Sequence, residues 1–314
     1  MNIRGIIARI SLVSVFRVER VLPSEVCRVK QKESGRQMSV KSPTISKLPI
    51  SGCVITYNEE RNIEACLESL WFCDEIVVVD SFSTDRTLEI CQRYTSRIFH
   101  NPYRGNISQK NFALSKTKHE WVLSLDADER VSPELREGIR RLFAAGFDGC
   151  SGYSFKRRAR YLGKWINHCG WYPDHKLRLF KRNGARFGGV EPHDTVVTRR
   201  KVGRLSGDLH HFTCATVSDH LQKIDRYSSM AAARLTSCSY ARAVFLMVLS
   251  PVAKFLEMFF FKGGFLDGAH GFVVCAMSAF SRFLRYAKVI EAKLAHKKSE
   301  NCSGSGAAFS RQSS

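Results

Sequence analysis

From Ile50 the chain alternates short apolar runs with amphipathic stretches at close spacing. Ser51–Thr56 predicts an apolar strand. Ile63, Cys66, Leu67 and Leu70 then share one helical face, with Asn58 placed to cap that helix. Glu75–Asp80 (Glu-Ile-Val-Val-Val-Asp) is a continuous β-branched run, the mark of a strand buried on both faces of a parallel sheet. Ser83 or Thr84 is in position to cap a second helix through Tyr94. Arg97–Phe99 predicts a short third strand, Gln109–Lys118 a helix, and Trp121–Leu125 a fourth buried strand ending in Asp126. Ser132-Pro133 opens another helix, a cap residue before proline in the first turn. This alternation predicts an α/β domain with a mostly parallel sheet.

After Gly149 the pattern becomes aromatic, basic and strand-like, at Tyr153–Phe155, Lys176–Phe180 and Thr195–Thr198. Val217–Leu235 reads as a helix with Leu221, Ile224, Ser228, Ala231 and Leu235 in register. Ala243–Phe261 is apolar but carries Pro251, Lys254 and Glu257, and Phe265–Phe280 is interrupted by Asp267 and His270. Neither is a clean span. They read as helices lying in a membrane interface, with buried helices of a soluble domain as the plainer alternative. Residues 1–48 do not resemble the rest, and Arg17–Lys47 is polar and basic with no helical or strand period. Ile6–Phe16 is too short for a span of roughly 20 residues, and Met38 begins a plausible shorter chain. The expected organisation is a tail or mis-chosen start over 1–48, a catalytic domain over 49–236, a membrane-associating helical region over 237–298 and a disordered tail over 299–314.

Composition narrows the classes. The net charge of +20, from 49 Lys and Arg against 29 Asp and Glu, suits an anionic partner and says nothing about fold. Nucleic acid is one such partner, but no module interleaves basic residues with base-stacking aromatics, and carboxylates stand where phosphates would approach. The 11 cysteines are odd in number, irregularly spaced and without a C-x-x-C pair, which points to a reducing compartment without a disulfide framework or zinc site.

The candidate chemistry lies at the carboxyl ends of the predicted parallel strands, where open α/β sheets bind ligands. Asn58-Glu59 follows the first strand, Asp80 the second, and Asp126-Ala127-Asp128 the fourth. Two aspartates two positions apart beyond a buried strand can converge on a hard divalent cation that keeps positions open for phosphate oxygens. An isolated D-x-D is more often a solvated turn; its place after Trp121-Val-Leu-Ser-Leu125 reverses those odds. Asp85 favours the following helix's N-terminus whether or not it also meets a ligand.

Val54-Ile-Thr-Tyr-Asn-Glu-Glu60, Val77-Val-Val-Asp-Ser-Phe-Ser-Thr-Asp-Arg-Thr87 and Leu125-Asp-Ala-Asp-Glu129 together resemble glycosyltransferase family 2, in the family's order, over about residues 50 to 235. In the second half, Gly170-Trp-Tyr-Pro-Asp174, Arg178-Leu-Phe-Lys-Arg182, Gly189-Val-Glu-Pro-His-Asp194, His210-His-Phe212 and Lys262-Gly-Gly-Phe-Leu-Asp-Gly268 resemble lipopolysaccharide-core β-1,4-glucosyltransferases. The resemblance implies a GT-A fold, a mostly parallel Rossmann-like sheet with a C-terminal helical, membrane-associating segment. It places Thr56, Asn58, Glu59, Asp80 and Asp85 around the nucleotide of a nucleotide-diphosphate sugar, with Lys110 lining the donor side. Asp126 falls near the ribose and metal, and Asp128 is the ligand of a Mg²⁺ or Mn²⁺ ion. The acceptor-side base matches Asp194, with Glu191 as rival. Where many relatives carry a second Asp after Asp80, this chain has Ser81.

On this reading a hexose, glucose by preference, passes with inversion to a heptose of a lipid-linked oligosaccharide at the cytoplasmic face of an inner membrane. Arg178 or Arg182 could assist the leaving diphosphate, and Trp171 and His193 could meet the acceptor or diphosphate. Arg157, Arg158, Arg160, Lys176, Arg199, Arg200 and Lys201 would favour a phosphorylated glycolipid and an anionic membrane surface. A polyprenyl-phosphate acceptor and a catalytically dead scaffold of the same fold are the alternatives.

Overall fold

The computed structural model describes residues 27–28, 46–191 and 193–306. Of the expected N-terminal tail, residues 1–26 and 29–45 lie outside the described residues, as do residues 307–314. The described chain forms two compact units. One runs to Tyr161 and again from Trp171 to Thr213; the other comprises Leu162–Gly170 and the chain from Cys214 onward.

The strands in chain order are β1 (Cys27–Arg28), β2 (Leu48–Thr56), β3 (Cys73–Asp80), β4 (Ile98–His100), β5 (Trp121–Asp126), β6 (Glu129–Val131) and β7 (Gly152–Tyr161). They continue with β8 (Lys164–Trp165), β9 (Asp174–Lys181), β10 (Ala185–Val190), β11 (His193–Thr198) and β12 (Val202–Cys214). In the first unit β4, β3, β2 and β5 are parallel neighbours. β9 adds antiparallel to β5 and β7 antiparallel to β9, and the sheet continues through β12 to β1. β6 pairs antiparallel with β12, and β10 and β11 form a separate hairpin.

Helices α1 (Ile63–Ser69), α2 (Thr87–Gln92), α3 (Asn106–Ser115) and α4 (Pro133–Ala145) belong to this unit. Val77, Val78 and Val79 are wholly buried, as the β-branched run predicts. α4 begins as expected: the Ser132 hydroxyl accepts the Leu135 N–H at 3.1 Å, with Pro133 in the first turn. Its Leu135, Ile139 and Leu142 then join the core cluster of Ile50, Leu67, Trp121 and Leu123. Burying each such side chain contributes about 1.5–3 kcal/mol.

Three helix starts differ from expectation, each because a distant segment supplies the partner. Asn58 does not cap α1, whose cap position is Asn62, and Ser83 and Thr84 do not cap α2, which starts after Arg86. Those side chains bond across the sheet edge instead. α3 starts at Asn106, before Gln109, because Glu191 from the β10–β11 turn accepts the Ile107 N–H at 2.7 Å. Gly105 at the cap position has φ 119°, and a Cβ there would stand 2.7 Å from the Glu191 Oε1. Only glycine fits that approach.

The second unit is helical. α5 (Val217–Ala232) opens with a reciprocal capping box between Thr216 and Asp219. α6 (Tyr240–Leu256) contains Pro251 and continues as a π-helical turn, Glu257–Phe261. A 3₁₀ turn, Gly264–Asp267, leads into α7 (Gly268–Gly306). α7 extends past Ser299 into the stretch expected to be disordered. Where the sequence reading found no clean span, the continuous helix Tyr240–Phe261 is long and apolar enough to cross a membrane.

Candidate active site

Sheet register sets the site. Thr56 pairs with Asp80 and Ile55 with Asp126, so three parallel strands end level with one another. The loops beyond β2 and β3 are laced together. Fully buried Asp80 accepts the Ser83 N–H at 2.9 Å and its hydroxyl at 2.5 Å, and lies 3.4 Å from His100 Nδ1. The Asn58 N–H donates to the Ser83 hydroxyl at 2.9 Å, and the Asn58 side-chain carbonyl accepts the Thr84 N–H at 2.8 Å. The Glu59 N–H donates to Thr87 Oγ1 at 2.8 Å, and Asp85 accepts the Glu60 N–H at 3.1 Å and the Thr87 N–H at 3.0 Å. Burial acts to raise the Asp85 pKa, but hydrogen bonds from the side chain and backbone of Thr87 and then from the Glu60 N–H outweigh it and hold the carboxyl below its ordinary range.

Two non-glycine residues here are left-handed, Asn58 at φ 51° and Phe82 at φ 64°. Asparagine tolerates this, whereas for phenylalanine it is strain of the kind that gathers at functional sites. Phe82 is exposed and stacks on His100 at 5.6 Å. Thr56 Oγ1 is buried without a hydrogen-bond partner, an orphan polar atom at the sheet edge.

A chain of charges runs beside these loops. The Lys110 ammonium, almost wholly buried, lies 2.7 Å from Asp126 and 2.8 Å from Asp194, linking β5 to the β10–β11 hairpin. The other Asp126 oxygen is 2.6 Å from buried Arg178, which also reaches Glu129 at 2.9 Å. Arg157 extends the network to Glu129 at 3.4 Å and Asp174 at 2.8 Å. Burial acts to raise the pKa of Asp126, but Arg178 and then Lys110 outweigh it and hold the carboxyl well below the usual range. Burial likewise opposes the charge on Arg178, and Asp126 and Glu129 override it and raise its pKa.

The Asp128 carboxylate lies 3.2 Å from His211 Nε2, and its carbonyl accepts the Phe212 N–H at 2.8 Å. His211 is brought there by register, because β12 pairs it with Glu129. Among the described residues no three His, Cys, Asp or Glu side chains converge as a metal cage. Asp128 and His211 do supply two donors side by side. Magnesium is commonly held by one or two carboxylates, with phosphates and water completing the shell, and Asp128 supplies one such carboxylate. The donor set therefore fits a cation that arrives with a diphosphate.

The structure brings together Thr56, Asn58, Glu59, Asp80 and Asp85 at one edge, and Lys110, Asp126, Asp194 and Arg178 in one ion-paired chain. Asp126, expected as a second metal ligand, has both oxygens engaged by cations. Glu191 spends one oxygen on the start of α3, and its other oxygen is buried without a partner. The His193 backbone pairs with Val190 in the β10–β11 hairpin. Trp171 packs edge-on against Tyr161 at 5.7 Å. Arg157 and Lys176, expected among cations facing a phosphorylated acceptor, are instead paired with carboxylates, Lys176 with Asp174 at 3.1 Å. Glu129 and His211, the residues that join these groups, were not among the expected site residues. Their one sequence signal was proximity to Asp128 and to the His210-His211 pair.

A family profile described as Glycosyl transferase family 2 matches residues 51–202. The chain is 32% identical over 259 residues to the lipopolysaccharide core biosynthesis glycosyltransferase LpsC of Rhizobium meliloti (strain 1021), covering 79% of this chain and 94% of that protein. It is also 32% identical over 256 residues to an uncharacterized glycosyltransferase of Rickettsia typhi (strain ATCC VR-144 / Wilmington), covering 78% of this chain and 88% of that protein. Among solved structures, S. aureus TarS 1-349 in complex with UDP-GlcNAc aligns over 79% of this chain and 92% of that one, with 15% identity and a TM-score of 0.40.

Proposed function

Because the chain belongs to glycosyltransferase family 2, we propose that it is an inverting hexosyltransferase moving a sugar, glucose by preference, from a nucleotide-diphosphate donor to a heptose of the lipopolysaccharide core. It is a transferase of GT-A fold, and the core acceptor follows its likeness to LpsC. The observation that carries the reading is the meeting, at one sheet edge, of the laced loops around Asp80, the Asp128–His211 pair and the Lys110–Asp194 pair.

The loops 57–60 and 81–87 receive the nucleoside, with the Thr56 hydroxyl free to bond the ligand and Phe82 offering a ring face. Asp128 and His211 would hold the divalent cation, Mg²⁺ or Mn²⁺, and the cation would supply charge neutralisation for the leaving diphosphate. Asp194 takes the proton of the attacking acceptor hydroxyl. The new bond forms at the anomeric carbon as the bond to the diphosphate oxygen breaks, in one step with inversion. Lys110 fixes Asp194 relative to Asp126 at 2.8 and 2.7 Å, so the base and the donor side share one positioning cation. Glu191 is the second reading for the base, favoured by its unpartnered buried oxygen.

The enzyme acts peripherally at the cytoplasmic face of the inner membrane, where nucleotide sugars and a lipid-linked acceptor meet. The alternative acceptor is a polyprenyl-phosphate or another envelope glycan. The deciding experiment incubates the protein and membrane glycolipid with a panel of nucleotide sugars and weighs the lipid product. One hexose added from a single donor is expected, abolished by Asp128→Ala with the fold intact by circular dichroism. Near-normal turnover in that variant would refute the metal role.

A further inference from the structure

The helical unit carries an apolar surface that its own packing does not use. Along α6 and the π-helical turn, Phe245, Val248, Val252, Leu256 and Phe260 recur three or four residues apart and are all exposed. The other side of α6 is committed: Ala243 is buried against Val289 of α7, together with Cys238. The exposed stripe ends in a corner where Phe260 is 57%, Phe261 69% and Leu266 60% exposed, with Phe265 and Phe272 also exposed. Ring contacts brace this corner. Phe259 meets Phe255 at 5.3 Å, Phe272 at 6.0 Å and Phe265 at 6.2 Å. Buried Asp267 ties the 3₁₀ turn down by accepting the His168 N–H at 2.8 Å and bonding the His168 ring at 3.1 Å.

Cations border the corner. Lys254 and Lys262 share Glu257 at 3.1 and 2.6 Å. Arg282 adds its charge near both Lys254 and Arg285, and the Nε of Arg285 is buried without a partner. An aromatic wedge rimmed by excess positive charge complements a surface with an apolar interior and anionic headgroups. A helix with one side packed on protein and Lys254, Glu257 and Lys262 in its last turns is better suited to lie in that surface than to cross it.

We infer that Phe245 to Phe260 and the corner Phe261–Leu266 form a docking face that inserts in-plane into an anionic phospholipid bilayer, with Lys254, Lys262 and Arg282 at the headgroups. The inference deepens the peripheral-membrane part of the proposed function.

Its test is flotation of the full-length protein with phosphatidylcholine vesicles, with or without phosphatidylglycerol, in the absence of sugar donor. Binding is expected on the anionic vesicles and weakened by salt. The triple variant Phe260→Ser/Phe261→Ser/Leu266→Ser is expected to bind about ten-fold less or weaker still, with an unchanged circular dichroism spectrum. Lys262→Gln/Arg282→Gln should remove the preference for anionic lipid while retaining residual binding. Equal binding to both vesicle types, or none, overturns the inference. So does a wild-type dimer in sedimentation that the triple variant converts to monomer, since a second copy would then be the occupant. Transfer to a deacylated, water-soluble acceptor is assayed in parallel: its failure beside intact flotation counts against the enzymatic reading, and the reverse against the docking face.

Discussion

Lys110 is a buried ammonium between two carboxylates, at 2.7 Å from Asp126 and 2.8 Å from Asp194. Removing it takes this cation from the largely buried Asp194 and leaves Asp126 dependent on Arg178. Lys110→Met is therefore expected to cost about 3–5 kcal/mol in urea unfolding, and Asp194→Asn added to it to restore part of the loss. Asp194→Asn alone should retain donor binding by calorimetry and lose turnover. Glu191→Gln should keep turnover, because its engaged oxygen serves the start of α3; loss of turnover only in that variant would transfer the base role to it. At this scale Asp80, Asp126 and Asp128 were marked in the sequence by their places after parallel strands, and Lys110 and Asp194 through the resemblance alone; the fold sets the Lys110 ammonium between Asp126 and Asp194. The sequence left out Glu129 and His211, whose roles arise from the pairing of β6 with β12.

Elements built on local signals matched expectation, as at Ser132-Pro133 and α4. Elements whose ends depend on distant groups did not. The side chains read as helix caps, Asn58 and Ser83, satisfy each other's loops across the sheet edge. A local reading cannot see a partner 25 residues away. Close approach gives a sharper test. Gly207 in β12 has φ 99°, and a Cβ there would meet the Leu135 nitrogen of α4 at 2.5 Å. Gly207→Ala is expected to destabilise clearly more than Ser132→Ala, whose lost cap should cost about 1 kcal/mol in the same unfolding assay.

Across the whole molecule, acid should act unequally on the buried titratable groups. In α5, burial and then the charge of Lys223 lower the His220 pKa from 6.5 to about 4. The unfolded chain takes up that proton first. The stability of the neutral, folded histidine is thus full above the ordinary value and declines as pH falls toward about 4. Melting followed by circular dichroism at about pH 7 and about pH 5 should show this loss, and His220→Gln should flatten it. The ion-paired chain at Asp126 behaves otherwise: its carboxyl is held low, so its contribution persists through that window and is lost only below the ordinary carboxylate range.

By itself the sequence determined the parallel α/β order and the carboxylates at the strand ends, because apolar periodicity and strand-end motifs are local and repeat along the chain. It also marked the apolar helical tail. Tertiary structure alone decided which charges meet: that Arg178 and Arg157 turn inward to Asp126 and Glu129, that His211 rather than Asp126 stands beside Asp128, and that one side of α6 stays bare. Ion pairing and burial join residues far apart in the chain, and their geometry exists only once strands are in register.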